Sequence, residues 1–261
     1  MNSPMNDEVE HKLDSEDHEH PNHPRSKAIY LLPNLLTTAG LFCGFYAIIA
    51  ATQGKFEQAA MAVFLAMVFD ALDGRVARMT NTQSDFGVQY DSLSDVIAFG
   101  VAPALVVYLW ALSGIEGRWG WIGAFVYVAG AAIRLARFNV QVDTTDKNFF
   151  VGLASPAAAA LVMGMVWVGE EHGLGSAAFA GWAWVVTVSA GLLMVSSLPF
   201  YSFKSFDLRK RVSYLSVPLV IVVFALAARD FALTLWGVFL LYALSAPLYL
   251  LLRRMQRVKS A

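Results

Sequence analysis

From about residue 30 onward the chain is a succession of apolar stretches, each roughly as long as a bilayer is thick, and that length restricts the fold more than any other feature. In hydrocarbon every backbone N–H and C=O must find its partner within the protein, so a run of about 20 apolar residues folds as a spanning helix. Hydropathy marks eight such runs, near residues 30–51, 57–78, 90–112, 119–140, 151–168, 176–197, 212–228 and 231–252. Only 15% of the residues are charged, well below the ~25% of an ordinary soluble domain. The expectation is an all-α integral membrane protein, a bundle of about eight transmembrane helices.

Charge orients the bundle. With both termini cytoplasmic, 16 of the 19 Lys and Arg residues fall on the cytoplasmic side, and only Lys55, Arg118 and Arg229 fall opposite. The loop around Glu170 and Glu171 on that opposite side is acidic, which suits the preference of basic residues for the cytoplasmic face. Residues 1–27 hold seven acids, three bases and four histidines (His11, His18, His20 and His23) with little apolar content. Such a segment buries too little surface to fold and reads as a disordered cytoplasmic tail, with metal binding by its histidines as the alternative. Its acidity does not suit a secretory leader. Residues 28–252 then form the transmembrane domain and residues 253–261 a basic cytoplasmic tail. The one cysteine, Cys43, excludes an intrachain disulfide and reads as packing.

Within this apolar sequence lies Asp70-x-x-Asp73-Gly74-x-x-Ala77-Arg78, followed after eight residues by Gly87-x-x-x-Asp91-x-x-x-Asp95. An ionisable side chain at bilayer depth costs roughly 2.5 to 3.5 kcal/mol, so four together require a reason. Asp70 and Asp73 fall near the cytoplasmic end of the second span, and Asp91 and Asp95 near the cytoplasmic start of the third. Spacings of three and four put each pair on one helical face, so two antiparallel neighbours present all four carboxylates to a common point. Hard divalent cations suit such oxygen ligands, and Mg²⁺ or Mn²⁺ held this way supports phosphoryl chemistry. Gly74 and Ala77 either admit a ligand close to the helix or serve as small-residue packing. Arg78 is either a phosphate partner or a basic anchor at the membrane surface. Asp85 reads as a solvated loop residue.

At every fixed position this pattern resembles the signature of the CDP-alcohol phosphotransferase family, membrane enzymes that pass a substituted phosphate from a CDP-linked donor to a hydroxyl and release CMP. The resemblance implies that Asp70, Asp73, Asp91 and Asp95 hold two divalent metals, that Asp95 also accepts the proton, and that Gly74, Ala77, Arg78 and Gly87 contact the CDP donor. Ser84 matches a further position that contacts the nucleotide-lipid. Between the last two acids stands Ser92-Leu93-Ser94, followed by Ala98-Phe99-Gly100-Val101-Ala102-Pro103-Ala104. This stretch resembles the family's serine branch, as do Leu32-Pro33-Asn34-Leu35-Leu36-Thr37-Thr38, Arg134-Leu135-Ala136-Arg137-Phe138-Asn139 and Pro199-Phe200-Tyr201-Ser202-Phe203-Lys204. It implies CDP-diacylglycerol as donor and L-serine as acceptor, a homodimer among membrane lipids, and a place in a bacterial inner membrane with the site at the cytoplasmic interface. No nucleic-acid partner is expected. One departure is Ala154, where the branch has proline.

The flanks also have physical readings. Asn34 and Thr37, one turn apart, either bond the nucleotide and phosphates or cap the helix after Pro33. Arg134 and Arg137 are either dipole partners and anchors or cations for the acceptor's carboxylate. Serine needs such a cation and an acceptor for its ammonium, which points to Arg134 or Arg137 with Asn139; Lys204 is a weaker candidate. Alternatives are another acceptor (inositol phosphate, glycerol phosphate or choline) and, from a different class, a cation-coupled transporter. The transporter needs acids near the midplane, whereas these lie at one interface.

Overall fold

The computed structural model describes residues 27–82, 84–141, 149–174, 176–201, 218 and 225–259. Its helices are α1 (Lys27–Thr52), α2 (Phe56–Thr80), α3 (Asp85–Asp95), α4 (Ala102–Trp110), α5 (Trp119–Gln141), α6 (Ser155–Glu171), α7 (Ser176–Val195) and α8 (Phe231–Lys259). A π-helical turn, Val96–Val101, joins α3 to α4 in one rod, so these helices fill seven of the eight expected spans. Most of the expected 212–228 span lies outside the described residues, as do the acidic tail's residues 1–26, Lys147 and Lys204. Among the described residues, four segments are long and apolar enough to cross a membrane: Leu31–Thr52, Asp85–Trp110, Trp119–Val140 and Phe231–Leu250.

Small residues set the spacing of the bundle. Ala47, Ala50 and Ala51 of α1 and Ala59, Ala60, Ala62 and Ala66 of α2 are all buried, and such a seam lets two backbones approach closely. A Cβ added to Gly44 of α1 would stand 2.7 Å from Ala98 Cα in the π turn. Cys43 is buried in the hydrophobic core, as a packing residue. Tyr127, Phe99, Leu112, Met163 and Phe200 fill the centre with almost no exposure.

The link that matters for the site is the one between α2 and α3. Asn81 ends α2 in a left-handed conformation (φ 51°), with its N–H directed at the carbonyls of Ala77 and Arg78. Asn tolerates this region better than most residues. Ser84 starts α3 by accepting a hydrogen bond from Gly87 N at 3.1 Å, as an N-cap does. The turn is thus short enough to bring the two halves of the acidic motif to one level. Asp85 is the first residue of α3 and not a loop residue, though it is exposed as expected.

Among the described residues the fold departs from helices and their turns at one strand pair. Phe149–Val151 and Pro199–Tyr201 form a short antiparallel pair, with Phe150 opposite Phe200. The expected fifth span, 151–168, therefore starts only at Ser155. Gly152 is the reason: it turns with φ 83°, and a Cβ there would lie 2.4 Å from Met194 O. Ala154 adopts φ −62°, ψ 136°, the conformation that proline's ring imposes, so the departure at this position leaves the bend unchanged. At the other end, α8 continues through Lys259, so most of the residues expected as a basic tail are helical.

Candidate active site

Asp70, Asp91 and Asp95 come together at the α2–α3 junction, with one carboxylate oxygen of each lying within 4.8 Å of the others. They line a small cleft with Asp73, Thr37, Gly40, Ala66, Ser94 and Phe99. Three carboxylates this close repel one another unless a cation is shared among them, and all-oxygen ligation suits a hard divalent ion. The donor set therefore fits the expected metal. Asp95 also lies in electrostatic contact with Asp73 and Arg134.

Asp73 stands slightly apart. Its carboxylate Oδ2 is 2.6 Å from Thr37 Oγ1, which also lies 3.1 Å from Pro33 O. A hydroxyl has one proton, and the shorter, charge-assisted contact takes it. Both residues are buried. Thr37 is thus not a helix cap: α1 begins at Lys27, more than a turn before Pro33, so Pro33, Asn34 and Thr37 are interior residues. Thr37 fixes Asp73 instead, a link between α1 and α2 that spacing alone does not display.

The expected nucleotide contacts gather beside this cluster. A Cβ placed on Gly87 would stand 3.2 Å from Ser84 Oγ and 3.6 Å from Asn34 Oδ1, so these three residues share one corner. Nearby, Thr38 Oγ1 and Tyr90 OH are 2.9 Å apart and tie α1 to α3. Among the described residues nothing lies within 4 Å of where a Cβ on Gly74 would be, which leaves open space against α2 at this point. Ala77 is half-buried and Arg78 exposed on the last turn of α2.

The expected acceptor residues separate. Arg134 Nη1 donates to Ser155 Oγ at 3.1 Å, its Nε is buried with no partner among the described residues, and its charge is felt by Asp95 and Tyr242. Arg137 lies half-buried one turn further along α5. Asn139 faces elsewhere, with its Nδ2 and Oδ1 3.0 and 3.2 Å from Ser92 Oγ, so it clasps α5 to α3. Sequence reasoning missed Ser94, whose buried hydroxyl lines the cleft without a partner among the described residues. Its place between two motif aspartates was the available signal. It also assigned no role to Ser155, which stands beside the departure at Ala154 in Gly152-Leu153-Ala154-Ser155-Pro156 and whose contact with Arg134 only the fold displays.

The sequence profile of the CDP-alcohol phosphatidyltransferases matches residues 30–195, which takes in the whole cleft. The chain belongs to this family. It is 35% identical over 229 residues to a CDP-diacylglycerol–serine O-phosphatidyltransferase of Helicobacter pylori, covering 86% of this chain and 94% of that one. An enzyme of the same name from Mycobacterium tuberculosis is 32% identical over 239 residues, 87% of this chain and 80% of the relative. An archaetidylserine synthase of Methanothermobacter thermautotrophicus is 36% identical over 173 residues, 65% and 69% of the two chains. As a CDP-alcohol phosphatidyltransferase with four apolar helices of spanning length, the protein is an integral membrane protein. The family generally uses divalent metals, and the aspartate cluster suits one.

Proposed function

We propose that this enzyme transfers the phosphatidyl group of CDP-diacylglycerol to the hydroxyl of L-serine, yielding phosphatidylserine and CMP. The convergence of Asp70, Asp91 and Asp95 carries the reading, and the serine-specific names of the relatives support the acceptor. Asp70, Asp91 and Asp95, with Asp73 completing the set, would hold two divalent ions, Mg²⁺ or Mn²⁺, whose charge would offset that of the phosphate oxygens and of the leaving CMP.

The chain's own residues do the rest. Asp95 takes the proton of the serine hydroxyl as that oxygen bonds to the β-phosphorus. The bond from that phosphorus to the CMP oxygen breaks in line, and CMP leaves with the electron pair. Thr37 keeps Asp73 in place. Asn34, Ser84 and Gly87 form the corner for the cytidine, Gly74 leaves room for the diphosphate against α2, and Arg78 meets its charge through its fork of donors. Arg134 receives the serine carboxylate on its unpartnered Nε edge, with Arg137 at the approach.

The site belongs at the cytoplasmic interface of a bacterial inner membrane, where CDP and serine arrive from water, and the enzyme works as a homodimer. Purified protein supplied with CDP-diacylglycerol and labelled serine should give labelled phosphatidylserine and CMP with Mg²⁺ or Mn²⁺ and neither product with chelator. Labelled lipid under no metal condition would overturn the reading. Faster CMP release with inositol phosphate, glycerol phosphate or choline would move the acceptor while leaving the chemistry intact.

A further inference from the structure

Ser155 is the first residue of α6, fully buried, and follows the Gly152 turn and the Ala154 bend. Its hydroxyl accepts a hydrogen bond from Arg134 Nη1 at 3.1 Å. That bond is the one side-chain tie described for a guanidinium whose Nε is buried without a partner among the described residues. A buried cationic donor left unpaired is costly in the absence of ligand and becomes favourable once an anion reaches it. A guanidinium recognises a carboxylate through two adjacent N–H groups, so the rotation of its plane decides whether that edge meets the ligand squarely.

We propose that Ser155 is a positioning residue for acceptor choice: by holding Nη1 of Arg134, it turns the Nε edge toward the carboxylate of the acceptor. This rests on the assignment of Arg134 as the carboxylate anchor. The loop that places Ser155 is clamped by the strand pair and by Leu153 N donating to Leu193 O at 3.0 Å, so the hydroxyl is delivered by a rigid support. Serine and ethanolamine share the hydroxyl and the amine and differ by the carboxylate. The ratio of turnover between them therefore reads the anchor directly.

In Ser155→Ala, the KM for serine should rise about tenfold, with kcat at saturating serine and the KM for CDP-diacylglycerol within about twofold, and the preference for serine over ethanolamine should fall by a similar factor. A merely structural role would lower kcat or thermal stability and leave that preference in place. Ser155→Cys keeps the volume but offers a weakly accepting sulfur, so it should shift the same ratio and serves if the alanine variant does not fold. An unchanged serine KM and an unchanged ratio in a folded variant of either kind would overturn the proposal. Arg134→Gln, assayed in parallel, separates the two levels: a loss of serine preference there but not at Ser155 refutes the positioning role alone, and no loss in either refutes the anchor as well.

Discussion

At the scale of single residues, the site rests on a division of labour among four aspartates of the same chemical type. Asp70, Asp91 and Asp95 converge, whereas Asp73 is held by Thr37 from the neighbouring helix. Asp95→Asn keeps the shape of the side chain but removes the base and a metal-binding charge, so CMP release should fall to near background in a protein that still folds. Near-normal turnover would end its assigned role. Thr37→Val removes only the hydrogen bond to Asp73 and leaves that carboxylate buried. The loss of about 1–3 kcal/mol of pairing predicts a drop in kcat/KM of roughly five- to a hundredfold, and restoration by Thr37→Ser would tie the effect to the hydroxyl. The aspartates could be found from sequence because acids are rare in apolar helices and their spacings are helical. The Thr37 contact could not, since residues 36 positions apart share no local pattern.

At the scale of elements, the helices were legible and their irregularities were not. Apolar length alone located α1, α2, α5, α7 and the start of α8 to within a few residues. The π turn and the strand pair depend on tertiary partners. Pro103 has no N–H to return to the carbonyl of Phe99 four residues earlier, and Tyr127 OH, fully buried on α5, donates to that carbonyl at 3.0 Å. A widened turn immediately after Asp95 re-aims the residues that follow it, and such turns recur at functional sites. In Tyr127→Phe the Phe99 carbonyl loses its donor without gaining water, which should destabilise the fold by about 1–3 kcal/mol. Thermal unfolding in detergent would show this as a lower midpoint, and an unchanged midpoint would mean that the carbonyl is otherwise satisfied.

At the scale of the whole molecule, the chemistry depends on sidedness, because a water-borne nucleotide and a membrane-bound lipid must meet at one surface. In the proposed orientation the α2–α3 turn lies on the cytoplasmic side and the α1–α2 turn opposite, a reading argued from the distribution of basic residues rather than from any contact within the bundle. The sole cysteine, Cys43, is buried, so a Cys43→Ala chain offers a clean background for reporting sidedness. Lys55 lies in the α1–α2 turn, and Met79, 83% exposed, lies on the last turn of α2. In cells with a permeabilised outer layer, a membrane-impermeant maleimide should label Lys55→Cys and spare Met79→Cys. In inverted inner-membrane vesicles the pattern should reverse, and CDP-diacylglycerol with serine added outside those vesicles should be converted without detergent. Labelling of Met79→Cys from the outer face would place the aspartate cluster on the wrong side for cytoplasmic serine, and would require either the orientation or the source of the acceptor to be reassigned.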